Sequence, residues 1–156
     1  MADSLSLISE IVSRCGGCTL CCTLLKIPQL NKPANTPCQH CTGSDCSIWG
    51  AHPVACRKFR CLWYANPSFP EALRPDLCGV LFEPGGDRIM LANCDLKRPD
   101  SWREGIGWAF IDKCLSEGVA VVVQVGATKH FLIPEGQTAP DIWRRITDDA
   151  KRRGYV

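Results

Sequence analysis

The sequence predicts an α+β protein. An irregular, Cys-rich N-terminal module spans residues 1–65, a Pro-rich connection spans 66–75, and a small unit of β-hairpins and two helices, residues 76–156, packs on the module. Three observations carry this prediction. Nine of the twelve cysteines lie between Cys15 and Cys61. The stretch "NPSFPEALRP", residues 66–75, places three prolines where cysteine density falls. Beyond it, apolar runs of strand character alternate with stretches of helical period.

The opening, "MADSLSLISEIVSRC", reads as an amphipathic helix, with Leu5, Ile8, Ile11 and Val12 at helical spacing and Asp3 or Ser4 placed to cap it. It lacks a basic n-region and carries Asp3 and Glu10, which makes it a poor secretory signal. A cytoplasmic, reducing environment is therefore expected. The following "KIPQLNKPANTPCQHCTGSDC" is loop-like, broken by Pro28, Pro33 and Pro37. Such a stretch buries few apolar side chains against its ordering entropy, and metal ligation is the natural source of the missing stability.

In the C-terminal unit, "CGVLFEP" and "DRIMLANC" read as strands joined by a "PGG" hairpin. "PDSWREGIGWAFIDKCLSEG" reads as a helix capped by Asp100 or Ser101, lined on one face by Ile106, Ala109, Phe110 and Cys114, and ended by Gly118. "VAVVVQVG" is a continuous apolar strand expected to be buried on both faces, with "HFLIP" as its hairpin partner. The tail "TAPDIWRRITDDAKRRG" begins with Thr138 and Pro140 and ends in a cationic turn, as a helix does. Trp143, Ile146 and Ala150 are expected on its buried face.

Composition narrows the function. The apolar fraction of 46%, the charged fraction of 22% and a net charge of +2 are ordinary for a globular protein and give no electrostatic case for nucleic acid or an anionic membrane. No apolar run approaches the roughly 18 residues of a membrane span. There is no P-loop, GxGxxG or HExxH motif. Twelve cysteines in a reducing compartment point instead to metal or redox chemistry.

The nine clustered thiols are Cys15, Cys18, Cys21, Cys22, Cys38, Cys41, Cys46, Cys56 and Cys61. Zinc and iron–sulfur centres both favour four sulfur ligands, and a C-x-x-C turn brings two sulfurs together. Nine thiols exceed one four-ligand site; they could fill two sites with one left over, or one polynuclear cluster. In an extended chain the adjacent Cys21 and Cys22 would point to opposite sides and serve two metals more easily than one. A ferredoxin run fails, since its fourth cysteine would fall on Leu25, and the radical S-adenosylmethionine spacing fails at the same residue. Cys15/Cys18 and Cys38/Cys41 satisfy zinc-ribbon spacing and leave Cys21, Cys22, Cys46, Cys56 and Cys61 for a second, interleaved site; a cross-brace interleaves too, but its last pair would be C-x-x-C, whereas four residues separate Cys56 and Cys61. The plain alternative, buried thiols acting as small hydrophobes, suits Cys78, Cys94 and Cys114, each on a core face, better than the nine in loop-rich sequence.

Around the cluster, Arg57, Lys58 and Arg60 lie between two candidate ligands, where they would either offset thiolate charge or be plain solvated loop residues. Trp49, Phe59 and Trp63 are expected to shield the sulfurs, while His40 and His52 are expected in non-ligand roles because sulfur is in surplus.

The stretches "CGGCTLCC" and "CSIWGAHPVACRKFRCLW" together resemble the YkgJ-type cysteine-cluster family, described as a zinc- or iron-chelating CxxCxxCC domain. Cys46-Ser47-Ile48-Trp49 stands where the family has a cysteine before an Ile-Tyr pair, and Cys56-Arg57-Lys58-Phe59-Arg60-Cys61 matches its last element. His52-Pro53 replaces the usual Arg-Pro. The resemblance covers residues 13–65 and implies that Cys15, Cys18, Cys21, Cys22, Cys46, Cys56 and Cys61 are ligands, completed by Cys38, Cys41 or both. Larger proteins with a similar cluster look like flagellin lysine N-methylases; this chain lacks their length, and the cluster rather than the activity is carried over. The expectation is a bacterial, cytoplasmic protein holding zinc or iron, as ions or an iron–sulfur cluster. Its C-terminal unit is the candidate surface for a protein partner. A redox or protein-modifying iron–sulfur enzyme is the alternative, and a zinc module for nucleic acid the weakest reading.

Overall fold

The computed structural model describes residues 17–154; the expected N-terminal helix and Cys15 lie outside them. The protein is α+β. Strands β1 (Val80–Gly86), β2 (Ile89–Cys94), β3 (Ala120–Val125) and β4 (Thr128–Leu132) form one mixed sheet in the order β1-β2-β3-β4. The two hairpins are antiparallel, and β2 and β3 run parallel. That parallel pair needs a crossover, which the helix Gly105–Ser116 provides.

β3 shows why its sequence is continuously apolar. Val121 and Val123 join the core cluster that holds Ile111 and Cys114, whereas Ala120 and Val122 join Ile142 and Ile146 of the helix Ala139–Arg152. Alternate residues face opposite sides of the sheet, and a helix covers each side. Burying Ile111 and Ile142, both fully inaccessible, contributes about 1.5–3 kcal/mol each.

Four local expectations are corrected. The first strand runs on through Pro84–Gly86 with an irregularity there, and Arg88 (φ 54°) lies in the turn itself. The crossover helix begins at Gly105, not at Asp100 or Ser101. The Ser101 hydroxyl instead donates to the Gly79 carbonyl at 3.0 Å. Gly79 has φ 78°, and a Cβ there would stand 2.7 Å from Ser101 Oγ, so both backbone conformation and space call for glycine. Along this helix Gly107, Ile111 and Cys114 face the core, while Ile106 and Ala109 are exposed. In the last helix Thr138 caps the start by accepting from the Asp141 N–H. Its buried pair is Ile142 and Ile146, one i,i+4 row; Trp143, a residue further round, is 45% exposed.

The Cys-rich region is built from turns and the single-turn helices α1 (Leu20–Leu24), α2 (Val54–Lys58) and α3 (Leu62–Ala65). After it come a 3₁₀ turn at Glu71–Leu73 and α4 (Pro75–Cys78), which make the two longer helices α5 (Gly105–Ser116) and α6 (Ala139–Arg152). None of the short helices can stand alone. They are held by a core that is continuous with the sheet: Leu24, Cys61, Trp63 and Leu73 belong to the same buried cluster as Leu81, Phe82 and Val121. Among the described residues no helix is long and apolar enough to cross a membrane.

Candidate metal centre

The chain gathers its cysteines through backbone hydrogen bonds. α1 carries Cys21 and Cys22, with the Cys22 N–H bonded to Thr19 O at 3.0 Å and Leu25 N–H to Cys21 O at 3.2 Å. The doubled cysteine is therefore helical rather than extended, and its two thiols are hydrogen-bonded to each other. The next pair docks on this turn, because Cys38 N–H donates to Cys22 O at 3.1 Å. Cys41 N–H then closes on Cys38 O at 3.0 Å, and Cys41 and Cys46 face each other in an isolated antiparallel bridge. A Thr42–Asp45 turn holds that bridge: Asp45 N–H donates to Thr42 Oγ1 at 3.0 Å and Cys46 N–H to Asp45 Oδ1 at 2.7 Å. Cys56 lies in α2, and Cys61 caps α3, its sulfur accepting from Tyr64 N–H at 3.4 Å.

These turns surround one cavity of about 360 Å³. Cys18, Cys21 and Cys22 line it from the first motif, Cys38, Cys41 and Cys46 from the middle loop, and Cys56 and Cys61 from the last motif. All the described candidate ligands thus share one space, whereas Cys78, Cys94 and Cys114 do not line it. Cys18 and Cys61 are buried and the other six half-buried. No three His, Cys, Asp or Glu side chains among the described residues converge closely enough to hold a metal ion as they stand. The thiols ring the space rather than crowd one point.

The electrostatics separate these thiols from the rest. Hydrogen bonding from Cys21 pulls the Cys22 thiol down to about 6; burial opposes this, and Cys41 and the Lys32 charge assist it. Burial pushes Cys56 up, reinforced by the neighbouring Cys22, Cys38 and Cys46. Away from the cavity, burial drives Cys94 up to about 12 and Cys114 to about 11. Cys22 ionises near neutrality, soft sulfur donors suit zinc or iron, and the donor chemistry of the cavity fits such a centre.

The flanking residues divide. His40 and His52 both line the cavity. His52 Nδ1 accepts from Gly50 N–H at 3.0 Å, and its ring stacks on Trp49 at 4.5 Å. Burial, aided by Arg57, lowers its basicity. Phe59 and Trp49 also line the cavity, though Trp49 is 54% exposed. Trp63 instead fills the main core, correcting its expected place against the sulfurs. Arg57 and Arg60 border the cavity and Lys58 does not. Arg60 folds back, donating to Arg57 O at 2.6 Å and Phe59 O at 2.9 Å and lying over Tyr64.

Two residues had no signal in the sequence. Lys32 looks like a surface lysine in a Pro-rich loop, yet it is only 6% exposed. A tight reversal puts it there: Ile27 and Lys32 pair in a bridge across Pro28–Leu30, with Asn31 left-handed at φ 49°. Asp76, beyond the proline break, reaches back to Cys18 through a side-chain hydrogen bond. Burial works to raise the Asp76 carboxyl, but Arg74, with contacts of 2.6 and 3.0 Å, and the Cys18 bond hold it below its ordinary value.

No family model, curated protein or solved structure matches this chain.

Proposed function

We propose that this chain is a metal-binding protein that holds zinc or an iron–sulfur centre through its clustered cysteines. The observation that carries the reading is the cavity lined by Cys18, Cys21, Cys22, Cys38, Cys41, Cys46, Cys56 and Cys61. Residues separated by more than forty positions bring eight soft donors to one space, in a region with little secondary structure of its own. Ligation there supplies both a function and part of the folding free energy. The motif resemblance over residues 13–65 to the CxxCxxCC family supports the same reading, and Cys15 is the ninth candidate ligand. Eight thiols on one space exceed the four that a single tetrahedral ion takes, which leaves room for a centre of more than one metal atom. The role is that of a structural or binding module, with the sheet unit as the surface for a protein partner.

A second reading, a redox or protein-modifying iron–sulfur enzyme, draws on the cavity rim. Arg57, Arg60 and Trp49 border a space that could admit part of a substrate beside the sulfurs.

Anaerobic purification followed by iron, zinc and sulfide analysis and an absorption spectrum tests both. Stoichiometric iron and sulfide with a broad visible band select the iron–sulfur centre. A colourless protein with tightly held zinc selects the zinc module. A protein that emerges from this preparation with no stoichiometric metal overturns the proposal.

A further inference from the structure

Lys32 has an environment unusual for a lysine. Its ammonium group donates to the carbonyls of Thr23 and Pro33, both at 3.1 Å, and to that of Leu25 at short range. An ammonium has three N–H donors and no acceptor, so these bonds use all of them. The side chain can neither ligate a metal nor donate to a sulfur; what remains is its charge. Lysine is almost never this buried without a charged partner, and among the described residues no carboxylate forms an ion pair with it. Burial lowers the basicity of Lys32, and the charges that work against this are all cysteines: Cys38, Cys22, Cys21 and Cys56.

We infer that Lys32 is the internal counter-cation of the cysteine cavity: three main-chain carbonyls, that of the cavity-lining Leu25 among them, anchor its ammonium group so that one fixed positive charge stands behind the wall that bears Cys21 and Cys22. This rests on the metal-centre reading above and adds a positioning residue to it. Two of the three carbonyls, those of Thr23 and Leu25, belong to the end of α1, so the same group that supplies the charge also steadies the turn bearing Cys21 and Cys22. A set of thiolates around a divalent or iron–sulfur centre carries net negative charge, and in a partly buried site an immobile cation lowers the cost of assembling it.

Charge and scaffolding are separated by two substitutions in the full chain, purified anaerobically with its metal. Lys32→Gln keeps N–H donors and removes the charge; Lys32→Arg keeps the charge and alters the hydrogen bonds. Each holoprotein is put in competition with EDTA, and retained metal is measured by elemental analysis. The expected result is that Lys32→Gln weakens metal retention on the order of 10- to 100-fold, while Lys32→Arg, which keeps the charge, retains clearly more metal than Lys32→Gln. Equal losses in both variants, or no loss in Lys32→Gln, overturn the inference. Should Lys32→Gln fail to fold by circular dichroism, Lys32→Arg decides: metal retention near that of the parent supports the charge role, and a folded Lys32→Arg that has lost its metal overturns it. A parent protein without metal fails the metal-centre reading itself, and this inference with it.

Discussion

Two populations of cysteine occupy this molecule, and their surroundings differ more than their spacing does. Eight ring a cavity built from turns, where Cys22 is hydrogen-bonded to Cys21 and Cys41, and four of them, Cys21, Cys22, Cys38 and Cys56, interact with the charge of a buried lysine. Cys94 and Cys114 lie in the core between sheet and helix, where burial of a negative charge outweighs the help that Ser101 gives Cys94 and Lys113 gives Cys114. The same thiol is a candidate ligand in one place and a small hydrophobe in the other. Sequence context separated them by density; the physical contrast is sharpest between Cys22, whose surroundings stabilise the thiolate, and Cys94 and Cys114, whose surroundings do not.

The widest test of that difference is alkylation. In metal-free protein the Cys22 thiolate, with a pKa near 6, is expected to react with iodoacetamide through pH 7. Cys94 and Cys114, raised to about 12 and about 11, should label more slowly by several orders of magnitude. Peptide mass spectrometry after timed quenching reads the order; equal rates at pH 7 would erase the distinction. The sign for stability follows. A thiol lowered in the folded state stabilises that state above its unfolded value near 9, and this contribution is lost as pH falls through about 6. Denaturant midpoints of the metal-free protein should fall over that window.

Cys22→Ala should next abolish stoichiometric metal binding and much of the order in the Cys-rich region, read by elemental analysis and proton NMR dispersion. Unchanged metal content would remove Cys22 from the centre. Trp63→Ala probes the seam between the two regions, since Trp63 is 5% exposed and shares the cluster of Leu81 and Phe82. Chemical unfolding should show a loss of about 3–5 kcal/mol. The smallest effect is expected for Cys114→Ala, roughly 1 kcal/mol with metal content unchanged. Metal loss there would merge the two populations.

Much of the sheet unit was legible because its signals are local. A run of four valine-type residues bounded by glycines, a Thr138-Ala139-Pro140 helix start and two hairpin turns need only neighbours to be read. What failed was rotational phase. Ile106 and Ala109 were expected on the core face of α5, and Trp143 on that of α6, but one residue of offset turns a helix by 100°. The contacts that set the phase are tertiary: Gly107 packs against Ser101 and Ile142 against the sheet.

The candidate site divides in the same way. Which cysteines are alike was readable from density and spacing, and every one that the structure describes lines the cavity. That Cys21 and Cys22 share a helical turn was not readable, because that helix is five residues long and is made by its partners rather than its propensity. Lys32 and Asp76 left no trace at all.

By itself, then, the sequence determined the α+β class, the two hairpins and the set of clustered thiols, since periodicity, turn chemistry and composition are written residue by residue; the parallel pairing of β2 with β3 was left to the tertiary structure. Only the tertiary structure decided which charges stand beside those thiols. Burial and electrostatics depend on distance in space, and a lysine ten residues along or an aspartate beyond a proline break comes near only once the chain has folded.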